Sequence, residues 1–390
     1  STQGVSSAAS DVYKRQVVHR SNAISQSTIP DELNSLLLYS KELGLDRMQI
    51  QAAGGNTSIK VGDTLWVKAS GRWLSRADQE NFMVPMSISS INSAISLESC
   101  TDNDIIECII PDSSLNSFRP SVEAPMHAIL ESKFVVHTHD LKAIALTLSG
   151  KLLPKLQEAF EGLEWRFVPY IKPGIDLCRR LQSLKNKNDK VFVLENHGLV
   201  VCGDDLSELK LTMSDIGKRL ESQFKRSVEK PQVPRKRNFN IKGTGYTFCD
   251  DEHINELALK PNWRQRLSQG MLMPDCVVFL GPSIPSVDPS EIGFREKLTK
   301  LSSSDLPLNS CISLVDHGMI IRDDALKGTE EMIRCLHDLM SMLPDDVDLN
   351  YLNNDIIQSL LNWDAEKYLS LIHISEPTRQ EAISYAVFCL

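Results

Sequence analysis

An apolar run that ends in two histidines is the feature of this sequence that most constrains its fold. Residues 134–140 read FVVHTHD, which places His137 and His139 two positions apart. Side chains two apart on a β-strand point to the same face of the sheet. We therefore expect a buried strand over 134–137 whose end directs both imidazoles to one point.

A second pair of apolar runs supplies a further histidine. Residues 191–194 and 199–202 are predicted as strands on either side of Asn196, His197 and Gly198, and glycine permits the tight turn that joins them. Zinc prefers such nitrogen ligands, and a catalytic zinc site needs three protein ligands and an open position. The histidine of this turn is therefore the best candidate for the third ligand.

A carboxylate precedes the histidine strand by one short predicted helix. Ser121 is expected to cap this helix, which we predict to run to about 132, so Glu123 lies in the first turn, where the helix dipole favours an ionised carboxylate. Beside a metal, such a group can act as a ligand or as a general base. Local sequence alone leaves open that Glu123 only complements the dipole. His127, one turn later, is expected to be a supporting or packing residue.

Two glycine-containing segments suit an anion. They read GGNTS at residues 54–58 and KASG at residues 68–71. Backbone N–H groups in such turns can bind an oxyanion or a phosphate. Neither segment has a nucleotide-binding pattern, and each alone is more often a plain turn.

The remaining pattern alternates between helices and strands, which predicts an α/β fold. The predicted elements are a helix over 30–47, strands over 57–61 and 64–68 joined by a two-residue hairpin turn, loops with short elements over 80–118, and a helix after Asp205. We expect an α/β domain over 17–228, a basic linker over 229–246 and a smaller C-terminal α/β domain over 247–368.

One internal repeat connects the two predicted domains. VFVLENHGLVVCGDDL at residues 191–206 and CISLVDHGMIIRDDAL at residues 311–326 both read as strand, His-Gly turn, strand and acidic helix cap. This similarity predicts a degenerate second half of similar topology. His317 has no accompanying histidine pair, so we expect a structural role for it rather than a second metal centre.

Both ends of the chain read as non-native sequence. Residues 6–16 (SSAASDVYKRQ) and 369–379 (LSLIHISEPTR) resemble in-frame translations of the transposon adaptors used to prepare sequencing libraries. We therefore interpret residues 1–16 and 369–390 as adaptor-derived and exclude them from functional argument. Whether native sequence is missing at either end stays open.

Composition restricts the class of protein. The 390 residues include 42 basic and 51 acidic side chains, for a formal net charge of −9, and 42% are hydrophobic. No apolar run approaches the roughly 20 residues that span a bilayer. The nine cysteines form no CxxC pair, which is typical of buried thiols in a reducing compartment. We expect a cytoplasmic protein that binds neither nucleic acid nor membrane.

Taken in order, five motifs resemble the class II aldolase/adducin family. They are GGNTSIK, KASG, RPSVEAPMHA, FVVHTHD and LENHGLVV, within roughly residues 45–225. The resemblance implies an α/β/α layered domain with a central mixed β-sheet. VPYIKPG and NWDAEKY look more like the aldolase part of bifunctional aldolase/dehydrogenase proteins than like the compact aldolases.

The resemblance implies a site and a reaction. By motif, His137, His139 and His197 match zinc ligands, with other divalent metals left open, and Glu123 matches the catalytic glutamate. The positions that match substrate-phosphate binding residues are Gly55, Asn56, Ser70, Gly71 and Ser121. The implied enzyme is an aldolase that cleaves or forms a C–C bond in a sugar or sugar-acid phosphate through a metal-stabilised enediolate. A symmetric homo-oligomer is also implied.

Two departures from the family pattern keep alternatives open. Val122 stands where the compact aldolases carry a second serine, so the substrate phosphate loses one hydrogen bond or is absent. Their proton-donating tyrosine has no clear match in residues 147–162, and we assign no role to Tyr170. The alternatives are a sugar-phosphate 4-epimerase, a decarboxylase of the same family and a non-catalytic adducin-like binding protein.

Overall fold

The computed structural model describes residues 31–79, 82–111, 118–224, 234–236 and 238–363. Both adaptor-like ends and part of the predicted linker lie outside these residues. Contacts divide the chain into Ser1–Ser35 and Leu36–Leu390. The first unit is described only over residues 31–35, which begin helix α1 (Asp31–Leu45), and the description below concerns the second.

The N-terminal part of the chain forms a seven-stranded mixed sheet. In chain order its strands are β1 (Asn56–Val61), β2 (Thr64–Lys68), β3 (Met83–Ser87), β4 (Phe134–Thr138), β5 (Trp165–Val168), β6 (Val191–Leu194) and β7 (Gly198–Gly203). Their order across the sheet is β3-β2-β1-β4-β7-β6-β5. Only β5 and β6 pair in parallel, so the sheet is mixed, as predicted.

Helices pack against this sheet in two groups. The helices of this part are α2 (Ile88–Ile95), α3 (Asp102–Ile106), α4 (Ala124–Ile129), α5 (Leu141–Thr147), α6 (Leu153–Ala159), α7 (Ile175–Leu184) and α8 (Leu206–Ser222), with a short 3-10 helix at Leu74–Arg76. Helices α5 and α8 pack on β7, whereas α2, α4 and α7 pack on β3, β2 and β5. All four residues of β6 are buried, as expected for a strand covered on both faces. The predicted α/β class is confirmed.

A smaller sheet forms the C-terminal part. Its strands are β8 (Tyr246–Phe248), β9 (Ser286–Val287), β10 (Cys311–Leu314) and β11 (Gly318–Arg322), in the order β8-β11-β10-β9. The helices are α9 (Glu252–Glu256), α10 (Pro261–Gln269), α11 (Pro274–Leu280), α12 (Phe294–Ser302), α13 (Thr329–Met342) and α14 (Asn354–Leu361). Apolar residues of β8–β11 and α12, among them Tyr246, Leu298 and Ile320, form one buried cluster.

The smaller sheet repeats the topology of half of the larger one. The order β8-β11-β10-β9 corresponds to β4-β7-β6-β5, with antiparallel, antiparallel and parallel pairs in the same sequence. Leu314 pairs with Gly318 as Leu194 pairs with Gly198. In this register Phe248, opposite Ile320, takes the place of His137, opposite Val200. The topology agrees with the predicted degenerate half, and an apolar residue replaces a histidine in it.

Two local expectations differ from the structure. Residues 80–118, which were predicted as loops with short elements, contain a five-residue sheet strand, β3, that includes Pro85. Proline is tolerated there because β3 is the edge strand of the sheet. The helix after Ser121 begins at Ala124 and ends at Ile129, and Glu123 rather than Ser121 occupies its N-cap. Pro125 favours a helix start at this point because its missing N–H needs no partner in the first turn.

The C-terminal part contacts the larger sheet's helices directly. Helix α13 packs on α5, and Arg47 forms an ion pair of 2.9 Å with Asp338. Within the predicted linker, Ile241 is buried in the cluster of the smaller sheet. The domain boundaries 17–228 and 247–368 stay a prediction. Among the described residues, no helix is both long and apolar enough to cross a membrane.

Candidate metal centre

Three histidines meet at one end of the seven-stranded sheet. Thr138 at the end of β4 pairs with Leu199 at the start of β7, so His137 and His139 lie beside His197. One nitrogen atom of each ring lies within 4.8 Å of the other two. All three residues are at most 3% exposed. The structure therefore brings the three predicted ligands together.

The turn between β6 and β7 holds His197 in place. Its backbone N–H donates to the carbonyl oxygen of Leu194 at 3.1 Å. Asn196 and Gly198 have φ values of +56° and +149°. A Cβ on Gly198 would lie 2.1 Å from the carbonyl oxygen of Thr138, so only glycine lets β7 approach β4 closely enough for the three histidines to meet.

Glu123 approaches the same cluster from the N-terminus of α4. Its Oε2 lies 3.3 Å from Nε2 of His137, and its Oε1 lies 3.6 Å from Nε2 of His197. The side chain is only 6% exposed. The predicted catalytic carboxylate is thus within reach of any group bound by the histidines.

A hydrogen-bonded chain orients this carboxylate. Nδ2 of Asn56 donates to Oε2 of Glu123 at 2.7 Å and to Oγ of Ser121 at 3.1 Å. Nε2 of His127 contacts Oδ1 of Asn56, and its Nδ1 lies 2.7 Å from Oγ of Ser58. His127 therefore supports the site through Asn56 and lies outside the cluster itself, as predicted.

Burial and neighbouring charges set the ionisation of the cluster. Burial opposes ionisation of Glu123, but the three histidines and the Asn56 amide hold its pKa at about 2. Burial lowers the pKa of His197 to about 3 and also lowers that of His137. Burial likewise opposes the protonation of His139, but Asp275 more than offsets it and raises this pKa. At neutral pH, His137 and His197 are therefore neutral donors beside an ionised carboxylate.

The donor set fits a divalent metal. Nδ1 of His137 lies 3.1 Å from the carbonyl oxygen of Leu199, which can only accept a hydrogen bond, so Nδ1 carries the proton and Nε2 is left as a ligand. Nε2 of His137, Nδ1 of His139 and Oε1 of Glu123 are buried and have no hydrogen-bond partner among the described residues. Buried polar atoms without partners are costly, and a cation would satisfy all three.

A cavity of about 70 Å³ adjoins the histidines. Its walls include Glu123, His139 and His197, and all five predicted substrate-binding residues: Gly55, Asn56, Ser70, Gly71 and Ser121. Asp275, Val278 and Phe279 of α11 line it as well. The structure therefore brings the predicted substrate-binding residues to the metal cluster, beneath a helix from outside the motifs.

Several donors of the predicted anion site are already engaged. Both donor hydrogens of the Asn56 amide are used by Glu123 and Ser121. The backbone N–H groups of Ser70 and Ser121 donate to the carbonyl oxygens of Arg119 and Lys68. Lys68 lines the cavity, and its Nζ donates to the carbonyl oxygens of Ala53 and Gly55 at 2.5 and 2.9 Å. The serine hydroxyls remain the groups best placed to meet an anion, beside the positive charge of Lys68.

Sequence analysis missed two residues that connect the histidine cluster with the C-terminal part of the chain. Asp275 places Oδ2 2.9 Å from Nδ1 of His139. Asn196, adjacent to His197, donates from Nδ2 to the carbonyl oxygens of Leu272 and Asn350 at 2.9 and 2.8 Å. Asp275 lies outside every motif, so no local signal indicated it, whereas a polar residue beside a turn histidine was visible but not interpreted.

Comparison with known proteins identifies the segment that carries this site. Residues 34–224 match the model of the "Class II Aldolase and Adducin N-terminal domain". This confirms the resemblance drawn from the five motifs and covers every predicted site residue. Asp275 and the smaller sheet lie outside the matched segment.

Three curated proteins are similar to this region. "Uncharacterized oxidoreductase YuxG" of Bacillus subtilis is 28% identical over 45% of this chain and 27% of its own length, so the match spans about a quarter of that protein. "3-oxo-tetronate 4-phosphate decarboxylase" of Haemophilus influenzae is 27% identical over 37% of this chain and 67% of its own length. "L-fuculose phosphate aldolase" of Methanocaldococcus jannaschii is 24% identical over 41% of this chain and 78% of its own length.

Proposed function

Because residues 34–224 are a class II aldolase and adducin N-terminal domain, we propose that this chain is a zinc-dependent aldolase. Its substrate class is a sugar or sugar-acid phosphate, in which it cleaves or forms a C–C bond. The observation that carries the proposal is the buried trio of His137, His139 and His197 with Glu123 within 3.6 Å of two of the rings.

The residues divide the chemistry between them. A bound divalent ion supplies electrophilic stabilisation of negative charge on the substrate's carbonyl and hydroxyl oxygens. Glu123, ionised and held by Asn56, is placed to remove or return a proton at the adjacent substrate carbon. Ser70, Ser121 and Lys68 provide hydroxyl and ammonium groups for the phosphate end.

Decarboxylation is the second candidate reaction. It also breaks a C–C bond and leaves negative charge on the same substrate oxygens, so the donor set serves both reactions. The Haemophilus decarboxylase is 27% identical and the Methanocaldococcus aldolase 24% identical to the matched region, so sequence identity does not favour the aldolase. No tyrosine was matched to the aldolase proton donor, which in the condensation direction protonates the aldehyde oxygen. Decarboxylation releases carbon dioxide and no aldehyde, so it needs no such donor. A cytoplasmic homo-oligomer remains part of the proposal.

Metal content per chain tests the proposal first. We would compare the full chain with a His137→Ala, His139→Ala double variant, and use His253→Ala as the control because His253 is exposed. About one zinc ion per chain is expected in the parent and the control, and almost none in the double variant. A folded parent that takes up no added divalent metal would overturn the enzyme proposal in favour of an adducin-like binding role.

Activity then separates the two reactions. Metal-loaded parent is incubated with a panel of ketose phosphates and 3-oxo-sugar-acid phosphates, and aldehyde and carbon dioxide are measured in parallel. Metal-dependent aldehyde release supports the aldolase, whereas carbon dioxide release supports the decarboxylase. Turnover that persists in the double variant contradicts a metal-dependent lyase.

A further inference from the structure

We propose that Asp275 is an additional metal ligand, so that the C-terminal part of the chain completes the centre built by the aldolase-like segment. The proposal rests on the metal site proposed above and adds a carboxylate from outside residues 34–224. The matched family segment would then lack one ligand of its own metal site.

The contact between Asp275 and His139 has the geometry of two donors that face one ion. Oδ2 of Asp275 lies 2.9 Å from Nδ1 of His139, yet this nitrogen has no aligned hydrogen-bond partner among the residues that the structure describes. Ligands bound to one ion at about 2.0–2.2 Å lie roughly 3 Å apart or slightly more. The separations of Glu123 from His137 and His197, 3.3 and 3.6 Å, fall in the same range.

Gly54 leaves room for this arrangement. A Cβ at this position would lie 2.7 Å from Nδ1 of His139 and 3.0 Å from Oδ2 of Asp275. Any other residue would therefore press on both atoms at once. The glycine-rich loop thus allows the carboxylate and the imidazole to approach one point.

Asp275 is held in place by rigid structure. It lies in the first turn of α11, and Cys276, Val277 and Leu280 of the same helix are fully buried. The helix packs on α13 and α14. Just before it, the carbonyl oxygen of Leu272 accepts the hydrogen bond from Asn196, the neighbour of His197. His197 and Asp275 are therefore both positioned by the contact between Asn196 and the segment that leads into α11.

Charge balance favours a ligand role. A divalent ion bound by three neutral imidazoles keeps both of its positive charges, which are costly to bury without compensation. Within the described residues, Glu123 and Asp275 are the carboxylates paired with the three histidines. Two carboxylates balance the charge of the ion.

Cobalt binding by the full chain tests the proposal, because Co²⁺ replaces zinc and its visible absorption reports the ligand set. Asp275→Asn keeps the size and shape of the side chain but removes the anionic ligand. We expect its dissociation constant for Co²⁺ to rise at least tenfold and its visible spectrum to change. Asp355→Asn, which alters an exposed carboxylate of α14, should match the parent in both measurements.

A cysteine at the same position gives a positive signature. Asp275→Cys, loaded with Co²⁺ under reducing conditions, should show a near-ultraviolet thiolate-to-cobalt charge-transfer band that is absent from the parent and from Asp355→Cys. This measurement holds even if Asp275→Asn folds poorly, because thiolate is itself a good ligand for such ions.

The outcomes separate the two proposals. A parent that binds no Co²⁺ overturns the metal centre itself. A parent that binds Co²⁺, with unchanged affinity and spectrum in Asp275→Asn, overturns the role of Asp275 alone. Absence of the charge-transfer band in a folded, cobalt-loaded Asp275→Cys chain overturns it in the same way.

Discussion

Asn56 lies directly opposite His137 in the register of β1 and β4, and its amide donates a hydrogen bond of 2.7 Å to Oε2 of Glu123. One cross-strand pair thus connects a metal-ligand candidate with the orientation of the carboxylate. Asn56 lies in the GGNTS segment, which sequence analysis associated with phosphate. Its side chain is instead used to hold Glu123 and Ser121.

Replacement of Asn56 tests this orienting role. Asn56→Ala removes the donor to Glu123 and the acceptor at His127, so we expect metal affinity to fall about 10–100-fold, as for other residues that orient metal-site groups. Isothermal titration with Zn²⁺ measures the change. Asn354→Ala, at an exposed position of α14, serves as the control. Equal affinity in the parent and Asn56→Ala would show that Glu123 needs no support.

Replacement of Glu123 tests the proton transfer. Glu123→Gln preserves the size of the side chain and an oxygen that can accept from Asn56, but it removes the base. We expect kcat for C–C bond cleavage to fall about 10²–10⁴-fold, while the circular dichroism spectrum stays that of the parent. The cleavage assay at saturating metal measures this. A variant with more than one third of the parental kcat is incompatible with Glu123 as the general base.

Replacement of Gly198 tests whether the close approach of β7 to β4 depends on a residue without a side chain. Gly198→Ala would put a Cβ 2.1 Å from the carbonyl oxygen of Thr138 at a φ of +149°. We expect the free energy of unfolding to drop by about 3 kcal/mol, from backbone strain and overpacking together. Chemical denaturation measures the loss.

A second glycine provides the matched control. Gly217 lies inside α8, and a Cβ there meets no described atom within 4 Å apart from its neighbours in the same helix. Gly217→Ala should therefore stabilise the protein by up to about 1 kcal/mol, since alanine favours a helix interior. If both alanine variants change stability by the same amount, the close contact at Gly198 is not the cause.

The surroundings of His337, a residue away from the metal centre, predict that the stability of the protein depends on pH. Its Nε2 lies 3.0 Å from Glu256, its Nδ1 lies 3.3 Å from Asp338, and the ring of His253 lies 5.5 Å away. Burial opposes protonation of His337, but the two carboxylates more than offset it and raise its pKa above 6.5. The contribution of the protonated ring to the free energy of unfolding is therefore fully present below the pKa of the unfolded state. It is lost as pH rises through the higher pKa of the folded state.

The measurement compares the parent with His337→Gln. We expect the free energy of unfolding of the parent, relative to the variant, to be larger at about pH 5.5 than at about pH 8.5. The difference between the two proteins removes the contribution of other titrating groups. A parent-to-variant difference that is the same at both pH values contradicts the predicted role of His337.

Local pattern was enough to predict much of the fold and the cluster. The strand over 134–137, the hairpin β1–β2 and the helix after Asp205 follow from periodicity, turn residues and capping, which act between near neighbours in the chain. The two histidines on one strand face are a consequence of the same periodicity. Within the segment predicted as loops with short elements, local pattern did not specify the edge strand β3. A strand that contains Pro85 is acceptable only where one of its sides is unpaired, and the order of strands in the sheet decides that.

The sequence by itself determined the mixed α/β class, the approach of His137 and His139 to one point, and the repeat of the His-Gly hairpin. Only the tertiary structure decided that Asn56 holds Glu123 and that Asp275 reaches His139 from 136 positions further along the chain. These contacts depend on which strands pair and on where α11 packs. Pairing and packing arise from burial of the whole chain, and no local signal encodes them.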